Sequence, residues 1–239
     1  MDRLSHQNLS PLVLLSQLNF ILMSKSFAII FDMDGVIVDS NPAHKIAIQQ
    51  FANQHGYNLD EQQLREKIYG RTNKEWITNL FGVLPTETLQ QYAHEKEALY
   101  RDIFKKDIKP VKGLVDFLDM LEKNNIPKAI GTSAPRVNVD FSLSKTNLEK
   151  YFSIILDDTF VTHGKPDPEI YIKVAAAIGL PNAQCIVIED SLSGVTAGKR
   201  AGSKVIGVTT THTKEELSEA DLVITDFDDL TFEKLQQLI

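Results

Sequence analysis

A single cysteine, Cys185, occurs in the 239 residues. One thiol cannot build an intramolecular disulfide framework, and such scarcity fits a reducing compartment such as the cytoplasm. Cys185 sits in the apolar run "CIVIED", where it reads as a small buried hydrophobe before it reads as a reactive thiol. Positive charge is also in short supply. Lys and Arg number 25 against 32 Asp and Glu, a formal net charge of −7. That balance argues against nucleic acid or an anionic membrane as partner. Long apolar runs are missing too. The stretch "LSPLVLLSQLNFILMSKSF" is interrupted by Ser16, Gln17 and Asn19, and is too short and too broken to cross a bilayer. It lacks the basic start of a signal peptide. Met23 stands just before the first β-like run. Residues 1–23 therefore read either as an upstream extension or as an amphipathic helix docked on the domain or on a partner. Monomer or weak dimer is the expected state. With 43% hydrophobic residues, the rest is ordinary for a globular chain.

What the chain does have is concentrated in "FAIIFDMDGVIVDS", residues 27–40. An apolar run ends in two aspartates, Asp32 and Asp34, followed at once by Gly35. Asp-Gly between apolar runs is a hairpin signal. The alternative is a site, because open α/β sheets bind ligands at the carboxyl ends of their strands.

The remaining pattern bears on that choice. After Asn41-Pro42 the sequence reads as helical from 43–55 and onward to about Phe104, with no β-rich run. Residues 105–113, with Pro110, read as a linker. Helices over 114–124, 136–146, 168–178, 193–201 and 213–218 then alternate with the runs "PKAIGTS", "FSIILDD", "AQCIVIED", "SKVIGVTT" and "ADLVITDF". Alternation of this kind predicts a doubly wound α/β fold: a parallel sheet with helices on both faces. The expected organisation is an α/β core over 24–40 and 110–239, with an all-helical cap over 41–109 inserted in it.

Parallel strands bring their carboxyl ends to one edge. That edge would gather Asp32 and Asp34, Thr132 and Ser133, and Glu189 and Asp190, with Lys165 from "HGKPDPEIY" beside them. Carboxylates suit Mg²⁺, a hard cation with oxygen ligands. Asp32 could attack phosphorus and form an aspartyl-phosphate. Asp34 is spaced to protonate the leaving oxygen and later to deprotonate water. Backbone N–H groups freed by Gly35 could cradle phosphate oxygens, and Lys165 could offset negative charge. Taken singly, Thr132 and Ser133 could be helix caps, Lys165 a solvated loop lysine, and Glu189 with Asp190 an acidic helix start. Taken together they describe a site.

These motifs resemble those of the haloacid dehalogenase superfamily of phosphotransferases. "FDMDGVIVDS" is similar to its DxDG signature, "GTSAPR" to its second motif, "HGKPDPEIY" to its lysine motif and "VIEDSLSG" to its acidic fourth motif, in order across about residues 27–208. The helical insertion resembles the small cap of the β-phosphoglucomutase-like subgroup. The resemblance implies Asp32 as nucleophile, Asp34 as acid/base, Thr132 and Lys165 as phosphate ligands, and Asp32, Asp34 and Asp190 as Mg²⁺ ligands, with Glu189 at the subgroup's other acidic position. In the cap, His44, Lys96 and the loop beginning at Gly70 fall at the subgroup's substrate-facing places. Asn73 stands where mutases of the subgroup carry a phosphate-binding arginine, and Arg71 lies two residues earlier. The expectation is a Mg²⁺-dependent phosphatase of a small phosphorylated metabolite, a sugar phosphate above all. A phosphosugar mutase and a catalytically silent phosphate- or metal-binding regulatory protein remain as alternatives.

Overall fold

The computed structural model describes residues 27–68 and 72–239. The expected N-terminal extension, Gly70 and Arg71 lie outside them. Six strands form one parallel sheet: β1 (Ala28–Phe31), β2 (Lys128–Gly131), β3 (Ile155–Leu156), β4 (Cys185–Glu189), β5 (Lys204–Val208) and β6 (Leu222–Ile224), in the order β3-β2-β1-β4-β5-β6. β1 is central because it is apolar on both faces, as a strand covered on two sides must be. Ile29 and Phe31 face one hydrophobic cluster, and Ala28 and Ile30 face the other.

Helices cover both faces, as the alternation predicts. α1 (Asn41–Gln54), α2 (Glu61–Lys67), α3 (Asn73–Phe81) and α4 (Thr86–Phe104) precede α5 (Leu114–Lys123), α6 (Arg136–Thr146), α7 (Glu169–Ile178), α8 (Leu192–Arg200) and α9 (Phe232–Leu238). Leu114, Leu118 and Leu121 of α5, Val139 and Leu143 of α6 and Leu235 of α9 pack against one face. Ile170 and Val174 of α7 and Val195 and Ala197 of α8 pack against the other.

Between β1 and α5 the described residues form four helices and, beyond isolated bridges at Asp34, Val38 and Pro110, no strand, with a third cluster built from Ile48, Phe51, Ala52, Leu64, Ile68, Trp76, Ile77 and Leu80. Trp76 is 2% exposed and meets Phe51 edge-on, so it fills this cluster. The two chain crossings into and out of the helical segment lie side by side, with Val111 N–H donating to Ile37 O at 3.0 Å.

Two elements differ from the sequence reading. The expected helix at 213–218 is a single turn. Thr213 and Glu216 cap each other, Leu217 N–H reaches Thr213 O, and the buried Leu217 anchors the turn to the core. The third strand keeps only two residues of "FSIILDD", because Asp157 turns its carboxylate onto Thr159 N–H and starts a 3-10 turn. The closing helix α9, capped by Thr231, carries no expectation from the sequence.

Candidate active site

The register places Phe31 beside Ile130 of β2 and Ile188 of β4. One residue further on, Asp32 therefore stands level with the ends of both neighbours. Asp32 N–H donates to Ile188 O at 3.0 Å, which fixes its backbone against β4. Gly35 follows with φ +73°, and a Cβ there would overlap the Asp190 carboxylate. Only glycine lets the turn after β1 close this tightly on β4.

Lys165 is the centre of charge. Its Nζ donates to Asp32 Oδ1 at 2.5 Å and to Glu189 Oε1 at 2.6 Å, and its side chain is 7% exposed. The ammonium also lies 4.9 Å from the centre of the Tyr171 ring. Burial disfavours this charge, but the carboxylates of Asp32 and Glu189 outweigh burial and raise its pKa. Glu189 is fully buried and saturated. It accepts from Lys165 and the Tyr171 hydroxyl on Oε1, and from the N–H groups of Asp190 and Ser191 and the Ser191 hydroxyl on Oε2. A Cβ on Gly194 would overlap this carboxylate, so α8 can start here only with glycine at that position.

Asp32, Glu189 and Asp190 bring one oxygen each to within 4.8 Å of one another. Burial, together with Glu189, pushes the Asp32 carboxyl up to about 7 despite Lys165. Burial and then the charges of Glu189 and Asp32 push Asp190 well above the usual carboxylate range. One lysine does not balance three buried carboxylates. The donor set fits a divalent cation that takes oxygen ligands.

Asp34 has different surroundings. Ser40 Oγ donates to its Oδ1 at 2.5 Å, and His44 Nε2 lies 3.5 Å away. Burial opposes ionisation, but His44, Ser40 and Lys96 outweigh it and hold the carboxyl below its ordinary value. Its side chain is held by groups at the start of the helical segment, while its charge still bears on Asp32 and Asp190.

His44 stacks flat on Tyr100, with ring centres 3.7 Å apart and planes 2° from parallel. Lys96 Nζ lies 3.2 Å from His44 Nδ1. An ammonium only donates, so Nδ1 accepts and the ring proton sits on Nε2, toward Asp34. Lys96 is buried and paired with Glu97 at 2.5 Å. His44 and Lys96 are thus joined to Asp34 in one chain of contacts.

Asn73 does not point at open space. Its Nδ2 donates to Glu97 Oε1 at 2.8 Å and its Oδ1 accepts from Trp76 Nε1 at 2.9 Å. Glu97 also accepts from Asn138 of α6 at 2.7 Å. Thr132 is buried, and its hydroxyl accepts from Ala134 N–H at 3.0 Å, while Ser133 is exposed at the strand end.

Several residues here escaped the sequence reading. Tyr171 carried a signal, six residues after Lys165 on the inner face of α7. Ser40 lies four residues before His44, and Tyr100 four after Lys96, which puts each pair on one helical face. Glu97 and Asn138 carried none, since their partnership spans 41 residues.

Comparison with known proteins bears on the family and the fold. The model of the haloacid dehalogenase-like hydrolases matches residues 29–208. A phosphorylated carbohydrates phosphatase of Thermotoga maritima is 33% identical over 186 residues, covering 76% of this chain and 84% of that protein. The β-phosphoglucomutase of Bacillus subtilis is 31% identical over 220 residues, covering 88% and 94%. Among solved structures, a HAD hydrolase, family IA, variant 3, from Entamoeba histolytica superposes with a TM-score of 0.83 at 34% identity, over 89% of this chain and 98% of that one. The family match takes in every strand end described above except the short β6, and on that ground the chain belongs to the haloacid dehalogenase-like hydrolases.

Proposed function

We propose that the protein is a Mg²⁺-dependent phosphatase of small phosphorylated metabolites, sugar phosphates above all, working through an aspartyl-phosphate on Asp32. The observation that carries this reading is the grouping at one sheet edge of Asp32, Lys165 and Asp190, with Asp34 held separately by Ser40 and His44. Residues 41–109 act as the cap over a core of 24–40 and 110–239. The relatives named as phosphatases support the substrate class.

The chain's residues divide the work. Lys165 occupies Oδ1 of Asp32 and leaves Oδ2 to attack phosphorus. The bond from phosphorus to the ester oxygen breaks as the bond to Asp32 forms, and Asp34 gives the leaving oxygen its proton. That leaves Asp34 a carboxylate, which accepts from the His44 Nε2–H and takes a proton from the attacking water, so the acid is reloaded for the next turnover. That water then attacks the aspartyl-phosphate and releases phosphate. Thr132, Ser133 and the backbone after Asp32 hold the phosphate oxygens. Asp32 and Asp190 would hold Mg²⁺, with the backbone carbonyl of Asp34. Bound there, the ion keeps both carboxylates ionised and offsets charge on the phosphate oxygens. Glu189 anchors Lys165 and completes the acidic cluster.

Phosphatase is favoured over mutase by Asn73 and Lys96. A mutase must grip a bisphosphate at both ends. Asn73 offers no charge and is tied to Glu97 and Trp76, and Lys96 is neutralised by Glu97. The protein is read as cytoplasmic and monomeric or weakly dimeric. The test supplies β-glucose 1-phosphate, a trace of the 1,6-bisphosphate and Mg²⁺, and follows free phosphate and glucose 6-phosphate. Phosphate release without isomerisation is expected; isomerisation with negligible phosphate release would replace this reading with the mutase.

A further inference from the structure

Asp190 is held by groups that neither the family motifs nor the carboxylate cluster account for. Its Oδ2 accepts from Thr211 Oγ1 and, at 3.1 Å, from Asn41 Nδ2. Asn41 Nδ2 also donates to Thr211 Oγ1 at 2.5 Å. The directions are consistent. The asparagine amide donates to both oxygens, and the threonine hydroxyl accepts from the amide and donates to the carboxylate. A fourth contact ties in the neighbouring turn, because Thr210 Oγ1 donates to Gly35 O at 2.6 Å. These residues come from separate parts of the chain. Asn41 is the first residue of α1, where the chain leaves β1 for the helical segment, and Thr210 and Thr211 follow β5.

Two donors on one oxygen fix the rotation of the Asp190 carboxyl group and leave Oδ1 free of protein donors among the contacts described.

We propose that Asn41 and Thr211 are positioning residues for the cation site, holding Asp190 so that Oδ1 faces the space shared with Asp32. This rests on the cation site assigned above. Partners of this kind behind a metal-binding side chain typically govern about 10- to 100-fold in metal affinity. Because Asn41 opens α1, the same contacts tie occupation of the cation site to the start of the helical segment.

The test is a Mg²⁺ titration followed by thermal unfolding, without substrate. Wild-type protein should gain melting temperature with MgCl₂ along a saturable curve. Thr211→Val removes the hydroxyl at an exposed position, so its melting temperature in EDTA should match wild type. Its Mg²⁺ midpoint should move up about tenfold or more. Asn41→Ala should move in the same direction, and Thr211→Ser should restore the wild-type midpoint. A wild-type midpoint retained in both Thr211→Val and Asn41→Ala overturns the positioning role and leaves the cation site standing. No saturable Mg²⁺ effect in wild type overturns the cation site itself, and this inference with it.

Discussion

Replacing Lys165 by methionine keeps the stem and deletes the ammonium. That ammonium donates to two carboxylates at 2.5 and 2.6 Å. A hydrogen bond to a charged group contributes roughly 1.5–3 kcal/mol. Deleting one partner of a buried ion pair costs about 3–5 kcal/mol, because the remaining charge is left without compensation. Both routes meet near 4 kcal/mol, and at a urea slope of about 3 kcal/mol/M the unfolding midpoint should fall by about 1.3 M. The pH dependence has a definite sign. The raised pKa of Lys165 makes its own contribution complete at every pH below the unfolded lysine value. Asp32 behaves in the opposite way. Its folded pKa is raised to about 7, so the folded state binds the proton more tightly, and stability falls as pH rises from the unfolded carboxylate value through about 7. Without the ammonium that window extends upward. The deficit of Lys165→Met should therefore be largest near about pH 8 and shrink toward about pH 5, where Asp32 carries a proton in the variant. Urea unfolding of EDTA-treated protein at both pH values measures it. A midpoint equal to wild type near pH 8, or a deficit of the same size at both, would refute the reasoning.

Asp34→Asn removes the carboxyl that Ser40 and His44 hold in place and that is proposed as the proton donor. Its kcat should fall by orders of magnitude with a sugar phosphate and far less with nitrophenyl phosphate, whose leaving group needs no proton; equal losses would count against the acid role. Gly194→Ala sets a methyl group where the Glu189 carboxylate lies. It should displace Glu189 from Lys165 and lower both melting temperature and activity, and an unchanged melting temperature would show that α8 can shift at no cost.

The core was legible in the sequence for a physical reason. A strand buried on both faces must be continuously apolar, so its end is marked where the first carboxylate or hydroxyl appears. Asp32, Thr132 and Glu189 each mark such an end, and a parallel sheet can only bring those ends together. The helical segment was less legible. His44 and Lys96 could be selected by resemblance, but whether they faced solvent or the site depends on the packing of α1 on α4. Asn73 reads in sequence as an arginine lost from a phosphate grip. In the fold it is a half-buried crosslink between Glu97 and Trp76. Glu189 reads as one more acidic residue of the cluster, and the fold adds five donors that no sequence pattern announces. Such polar networks pair residues far apart in the chain, and no periodicity records them. The turn at 213–218 shows a related limit, since a capping pair and one buried leucine are as compatible with a single turn as with a helix.

The central claim is that Asp32 itself takes the phosphoryl group. It is tested most directly by acid-quenching the enzyme during turnover of a sugar phosphate with Mg²⁺ and mapping the adduct by peptide mass spectrometry. The account predicts a phosphoryl group on the peptide holding Asp32, absent from Asp32→Asn, which should remain folded and lose turnover by several orders of magnitude. Hydrolysis at near wild-type rate in Asp32→Asn, or an adduct on another residue, would contradict it.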